Sequence, residues 1–211
     1  MGGILSKISE NLQIGKAKVV ADLVRQALDE GLSPQSILDE GLLAGMSVIG
    51  DKFKVNEVYV PEVLVAARAM NRGVELLKPY LAAEGVQARG KVVIGTVKGD
   101  LHDIGKNLVK MMLEGKGLEV ADLGVDVSAE QFLEAAKETG ASIICCSALL
   151  TTTMGEMKSV VDLVKNSDMK DQLTVMVGGA PVTQAFCDQI GADCYAQDAA
   201  SAADAALAFI A

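Results

Sequence analysis

The chain has 211 residues, half of them hydrophobic, with a formal charge of −9 and only 3% aromatic residues. That length suits one large domain or two small ones, and the apolar content excludes an intrinsically disordered chain. An acidic chain repels a phosphate backbone, which argues against nucleic acid as a partner.

Tryptophan is absent and methionine occurs nine times, so the core must be built from Ala, Val, Leu, Ile and Met. No run approaches the roughly 18 apolar residues of a membrane span. The opening stretch, residues 1–18, lacks the basic-then-apolar pattern of a secretory signal. A cytoplasmic protein with no membrane partner is expected.

Residues 4–14 predict a short helix. A second is expected over 16–30, where Val19, Val20, Leu23, Val24, Ala27 and Leu28 recur at helical spacing and Gly31 supplies the C-terminal cap. Ser33 and Pro34 restart the chain as N-cap and first-turn proline, with Ile37, Leu38, Leu42, Met46 and Ile49 as the apolar stripe. Residues 54–60 read as a connection, and Pro61 opens a long helix to Leu81. Four helices with short connections predict an antiparallel bundle, followed by a linker over 82–90.

The second half alternates short apolar strands with helices. Strands are expected at 91–97, 119–123, 142–148, 174–177 and 194–196. Helices are expected at 104–116, 128–139, 154–166, 182–190 and 199–210. This alternation predicts a parallel sheet covered on both faces. The fold class is therefore α/β: a four-helix bundle cap over 1–88, then a flavodoxin-like, Rossmann-type domain with a five-stranded parallel sheet over 89–211. Ligands of such sheets sit beyond the carboxyl ends of the strands. The four cysteines, Cys145, Cys146, Cys187 and Cys194, form no CxxC pattern and read as buried free thiols in a reducing compartment.

The loop after the first strand, residues 98–107, contains the only histidine, His102, between Asp100 and Asp103 and bracketed by Gly99 and Gly105. A Walker loop is excluded. Five residues rather than four separate the glycines, Asn107 stands where a hydroxyl is needed, and two aspartates would repel a phosphate. A single imidazole cannot hold a bare metal ion tightly, but it can supply one axial ligand to a metal already held in a macrocycle. Asp100, two residues earlier, can fold back to fix its tautomer. The loop alone leaves this reading beside that of a solvated side chain. The loops after the third and fourth strands, 147–154 and 178–181, bring small and hydroxyl residues to the same sheet edge, leaving room for a long ligand tail.

Asp100-Leu101-His102-Asp103-Ile104-Gly105 resembles the DxHxxG signature of cobalamin-binding domains. Ser147-Ala148-Leu149 resembles their SxL element, and Gly178-Gly179 their GG element. The 41 residues from Lys106 to Cys146 and the 28 from Leu150 to Val177 are similar to the family spacing. The resemblance covers nearly the whole chain, because Gly31–Gly73 looks like the cap domain of methyl-transferring corrinoid proteins. These include the corrinoid subunits of methylamine, methanol and betaine methyltransferase systems and the cobalamin module of methionine synthase. Adenosylcobalamin mutases share the histidine motif but not usually this bundle.

The resemblance implies bound cobalamin, a corrinoid of cobalt, in the base-off, His-on form. His102 would be the metal ligand in place of the cofactor's own base, Asp100 its hydrogen-bond partner, and Thr153, six positions after Ser147, the end of the relay. A serine would match the family more closely at 153. The tail would lie against Ser147, Leu149, Thr151, Gly178 and Gly179, closed by Tyr195, Asp198 and Ala199. Gly99, Leu101, Asp103, Ile104 and Gly105 complete the loop, and Val58, Tyr59, Val60, Val63 and Met70 would lie near the upper corrin face.

The implied function is a methyl carrier rather than a complete enzyme, cycling between cob(I)alamin and methylcob(III)alamin. Its implied partners are a substrate-specific methyltransferase, a second methyltransferase and a reductive activase. The alternatives are a cobalamin-dependent sensor or regulator, the small subunit of an adenosylcobalamin mutase, and a receiver-like domain without cofactor.

Overall fold

The structure, a computed structural model, describes residues Gly2–Ile210. It divides into two compact units. One holds the described residues up to Ala88 together with Gly115–Gly117, and the other Arg89–Glu114 and the residues from Leu118 onward.

The first unit is helical. It contains α1 (Gly2–Gln13), α2 (Ala17–Asp29), α3 (Pro34–Ser36), α4 (Ala44–Lys54) and α5 (Val60–Ala83). A π-helical stretch, Ile37–Leu43, joins α3 to α4 without a break, so the described residues of this unit form four rods as the periodicity implies. Local chemistry sets the ends. Past α2, Gly31 adopts φ +80° and the Leu32 N–H reaches the Ala27 carbonyl at 3.0 Å, closing the helix as a left-handed glycine does. The Ser33 hydroxyl accepts the Ser36 N–H at 3.1 Å, and the Glu62 carboxylate accepts the Tyr59 N–H at 3.0 Å to start α5.

Two details differ from expectation. Val19 is exposed, because α2 buries Val20, Ala21, Val24 and Ala27 instead. The third rod is not a plain α-helix. Its inward residues Ile37 and Leu42 are five apart, a step that a π turn, with its i→i+5 bonds, brings onto one face. α1 lies so close to this rod that a Cβ on Gly45 would stand 3.1 Å from the Ser9 backbone.

The second unit alternates strand and helix as predicted. Its elements are β1 (Lys91–Thr96), α6 (Ile104–Glu114), β2 (Glu119–Asp122), α7 (Ala129–Thr139), β3 (Ile143–Ser147), α8 (Met154–Lys165), β4 (Thr174–Gly178), α9 (Gln184–Ile190), β5 (Cys194–Tyr195) and α10 (Ala199–Ile210). All pairings are parallel, in the order β2-β1-β3-β4-β5, the flavodoxin-type arrangement. Val93, Ile144, Cys146, Val175 and Val177 face a core with Phe132, Ala136, Met157, Val160 and Ile190. Val92, Ile94, Ile143 and Met176 are buried too, on the opposite face by strand alternation. There α6 packs on β1 and β2, and α10 packs on α6. Burying both faces of each inner strand explains why their sequences read as apolar runs rather than alternating patterns.

The register places the site. Thr96 pairs with Ser147, and Ser147 with Gly178, so the last residues of β1, β3 and β4 form one row at the carboxyl edge. The chain leaves β1 toward β2 and leaves β3 toward β4, so the order reverses between β1 and β3. That reversal opens the crevice where open α/β sheets bind ligands. The four cysteines are free thiols, three of them buried, and burial, with Cys194 adding to it, pushes the Cys145 thiol up to about 12.

Candidate functional site

The loop from β1 to α6 enters the crevice. Its centre is Asp100, whose side chain is fully buried although it lies in a loop. One carboxylate oxygen accepts the His102 N–H at 3.1 Å and lies 2.7 Å from His102 Nδ1. The other accepts the Leu149 N–H at 2.8 Å, the Leu150 N–H at 3.2 Å and the Thr153 hydroxyl at 2.8 Å. Burial acts to raise the Asp100 pKa. The hydrogen bonds from the Leu149 N–H, the His102 ring, the His102 N–H and the Thr153 hydroxyl outweigh it and hold the carboxyl well below the usual carboxylate range.

An ionised carboxylate only accepts, so Nδ1 carries the proton of this hydrogen bond and Nε2 of neutral His102 presents a lone pair. The His102 side chain is 50% exposed, which leaves that nitrogen accessible. Among the described residues no three His, Cys, Asp or Glu side chains converge to hold a metal ion. The donor set here is one oriented imidazole.

Asp100 ionises at a lower pH folded than unfolded, where aspartate titrates near about 3.9. Its contribution is therefore complete above that value and is lost as pH falls below it toward the folded pKa. The apo-protein is expected to lose stability steeply on acidification below about pH 4, with a shallower slope in Asp100→Asn. Urea midpoints at a series of pH values measure this, and equal slopes would refute it.

Thr153 is buried. Its Oγ1 lies 2.8 Å from the Asp100 carboxylate and 2.9 Å from the Leu150 carbonyl. The hydroxyl has one proton, so it serves one acceptor at a time.

Three other residues brace the loop and were not singled out from the sequence. The buried Thr96 hydroxyl donates to the His102 carbonyl at 2.8 Å. Asp126, in the loop after β2, accepts the Gly99 N–H at 2.7 Å through its carboxylate and donates its own N–H to the Asp100 carbonyl at 3.0 Å. Lys106, buried in the first turns of α6, donates to Asp122 at the end of β2. Burial acts to raise the Asp122 pKa, but the hydrogen bonds from Lys106 and the Gly124 N–H, with the charges of Lys106 and Lys110, together outweigh it and the carboxyl lies below its ordinary value. The available signal was positional. An acid in the loop after β2 lies at the same sheet edge as the loops after β1, β3 and β4.

Around His102 the surface is apolar. Leu101 is 71% exposed and Ile104 79%, and Leu149 and Leu150 are exposed in the neighbouring loop. Large apolar side chains gathered at one edge mark a surface that something covers. Asp103 is exposed and accepts from the Asn107 amide at 3.1 Å, while Gly105 faces open space.

The residues expected to hold a tail divide. Ser147 and Gly178 are register neighbours, and Leu149 and Thr151 are exposed beside them. Gly179 has φ +134°, and a Cβ there would stand 1.9 Å from the Ala148 carbonyl oxygen. Tyr195 is half-buried opposite Val177. The Asp198 carboxylate is taken up in capping α10, accepting the Ser201 N–H at 2.8 Å and its hydroxyl at 2.7 Å, and Ala199 is buried as the first residue of that helix. In the helical unit Tyr59 is 62% exposed. Met70 and Val63 are buried on the stripe that α5 shares with Ala66, Ala67 and Leu77, and in this arrangement they present no surface to a ligand.

A family profile described as a B12 binding domain matches residues 90–208, and a second of the same description matches residues 4–78. Dimethylamine corrinoid protein 3 of Methanosarcina acetivorans is 44% identical over 200 residues, covering 95% of this chain and 93% of the relative. The chain belongs to the B12-binding corrinoid protein family. Two solved structures agree with a corrinoid protein along its length. A chain of the methanol:cobalamin methyltransferase complex of Methanosarcina barkeri superposes with a TM-score of 0.86 at 31% identity, over 98% of this chain and 79% of that one. A cobalamin-binding protein of Desulfitobacterium hafniense does so with 0.80 at 28% identity, over 98% of each. Asp100, His102, Ser147, Gly178 and Gly179 of this corrinoid protein fall within the first profile match, and Tyr59 and Met70 within the second. Among the described residues no helix is long and apolar enough to cross a membrane.

Proposed function

We propose that the protein binds a cobalamin-type corrinoid base-off, with His102 Nε2 as lower axial ligand to cobalt, and carries a methyl group in the cytoplasm from a substrate-specific methyltransferase to a second one. A reductive activase would restore the carrier after adventitious oxidation. The observation that carries this reading is the half-exposed imidazole held through Nδ1 by a fully buried carboxylate at the strand-order reversal. The family membership and the solved methyltransferase complex of a relative support the partner class.

The residues present fit the group. One imidazole with a free lone pair suits a metal whose equatorial positions a macrocycle already fills, and the exposed Leu101, Ile104, Leu149 and Leu150 suit an apolar ring face. Ser147, Leu149, Thr151, Gly178 and Gly179 would flank the tail, with Tyr195 and Ala199 beyond them. When bound, the corrinoid supplies a cobalt that accepts and surrenders the methyl group.

The protein's part is to hold the imidazole and manage its proton. Asp100 keeps Nδ1–H paired and so leaves the Nε2 lone pair free for a metal. Thr153 can turn its proton toward Asp100 or toward Leu150, which adjusts how strongly the carboxylate pulls on Nδ1.

The test is a visible-spectrum titration of apo-protein with hydroxocobalamin and with methylcobalamin, beside His102→Ala. The expected result is a stoichiometric complex with a histidine-coordinated spectrum. In the variant that spectrum is lost and affinity falls at least about tenfold, the effect of removing about 1.4 kcal/mol of binding. Absence of binding would overturn the cofactor reading. An unchanged spectrum in the variant would remove His102 as the ligand.

A further inference from the structure

We propose that Asp126 is a positioning residue for the axial histidine, acting through the main chain on both sides of Asp100. This deepens the reading above and rests on it for the word axial. The network around the Asp100 carboxylate fixes only the end of a side chain. Where that carboxylate lies depends on the backbone around residue 100, and Asp126 holds it at two points, the Gly99 N–H and the Asp100 carbonyl.

Its carboxylate receives the N–H of Gly99, one residue before Asp100, at 2.7 Å. Its own N–H reaches the carbonyl of Asp100 at 3.0 Å. Gly99 has φ +78°, so the chain enters the loop through a residue with wide conformational freedom, and the Asp126 carboxylate restrains it.

The geometry also explains why an exposed loop residue adopts a left-handed backbone. Asp126 has φ +57°, a conformation that aspartate and asparagine tolerate better than most residues and that persists where surroundings over-determine it. In that conformation its N–H and its carboxylate both turn toward the β1 loop. The adjacent residue continues the attachment, since the Val127 N–H donates to the Thr96 carbonyl at 3.0 Å. Because β1 pairs with β2 on one side and β3 on the other, the loop of His102 is clamped from two sides. The 149–153 segment grips the Asp100 side chain, and Asp126 grips its main chain.

His102 is the only histidine in the chain, so its ring nitrogens are the only imidazole signals. Their 15N shifts in apo-protein, recorded at a pH where the ring is neutral, report how far the Nδ1–H tautomer is enforced. Asp126→Gly keeps the left-handed backbone and removes the acceptor, whereas Asp126→Asn keeps both. The expected result is that Asp126→Gly lowers the ratio of the Nδ1–H to the Nε2–H tautomer by about tenfold, as loss of one charge-assisted hydrogen bond on an exposed loop should. Asp126→Asn should restore most of the ratio. With hydroxocobalamin bound, Asp126→Gly should show a matching loss of the histidine-coordinated spectrum.

A folded Asp126→Gly protein with the parental tautomer ratio would overturn the proposal, as would Asp126→Asn behaving like Asp126→Gly. Should Asp126→Gly fail to fold, Asp126→Ser, whose oxygen lies one bond nearer the main chain and falls short of Gly99, makes the same comparison. The tautomer measurement needs no corrinoid. Failure of the parent protein to bind hydroxocobalamin would therefore defeat the cofactor reading while the apo-protein data still decide the role of Asp126.

Discussion

Asp100→Asn is expected to destabilise the apo-protein by about 3 kcal/mol and to move the proton of His102 from Nδ1 to Nε2. The carboxylate has five donors on two oxygens, and an amide has one oxygen. Turned toward Leu149, Leu150 and Thr153, that oxygen satisfies three donors, and the amide NH2 then meets the His102 N–H and ring. Nδ1 can remain hydrogen-bonded only by becoming the acceptor, which places the ring proton on Nε2. The opposite orientation sets the NH2 against the Leu149 and Leu150 N–H groups, with only the Thr153 hydroxyl able to accept from it, and is worse.

The energy follows from exchanging a charged acceptor for a neutral one. Bonds to charged groups contribute about 1.5–3 kcal/mol and neutral ones about 0.5–1.5, and at least one donor loses its partner. For a protein of this size the melting temperature should fall by about 6–12 °C. Function should suffer more than stability, because a protonated Nε2 has no lone pair for a metal. Chemical denaturation and imidazole 15N shifts measure the two effects separately. A variant with the parental tautomer would show that the ring is oriented by something other than Asp100.

The parts of this site that were legible in the sequence are those carried by side chains at short range. Asp100 and His102 are two residues apart, and a local turn is enough to join them. The strands were legible because their apolar runs end where glycine, serine or aspartate begins, and Ser147 and Gly178 fall on those ends. Other contacts have no side-chain signature. Leu149 and Leu150 contribute main-chain N–H groups to Asp100 across about fifty residues of sequence, and any residue but proline would supply them. Lys106 reads as a solvated helix residue until its partner Asp122 is known. Met70 illustrates a different limit. Its helical spacing serves equally for a core and for a ligand face, and only the packing of α5 shows it buried. The π-helical stretch was present as a five-residue step between Ile37 and Leu42, which a search for 3.6-residue periodicity passes over.

Gly179→Ala is expected to cost about 3 kcal/mol or more, because two penalties of about 1–3 kcal/mol act together. The residue has φ +134°, which side chains rarely adopt, and its Cβ would stand 1.9 Å from the Ala148 carbonyl oxygen. Neither atom can yield as a side chain can. The Ala148 N–H is bonded to the Gly178 carbonyl at 3.3 Å, and the Gly179 carbonyl accepts the Val182 N–H at 3.0 Å. Relief would require the turn after β4 to move away from the end of β3. The segment displaced with it carries the Leu149 and Leu150 N–H groups that hold Asp100, so damage at Gly179 should reach His102.

The neighbouring glycine separates fold from ligand. A Cβ at Gly178 would lie 3.4 Å from the Ala196 carbonyl, an ordinary contact, and its φ is not positive. Gly178→Ala should therefore unfold within about 1 kcal/mol of the parent. Yet its methyl group would sit beside Ser147 at the carboxyl edge, where the corrinoid tail is proposed to pass, and hydroxocobalamin affinity should fall while stability holds. Urea denaturation and spectral titration of the two variants distinguish these roles. Equal destabilisation would mean that the glycine pair serves the turn alone. Weakened binding confined to Gly178→Ala would mean that one glycine lets two loops touch while the other keeps space open between them.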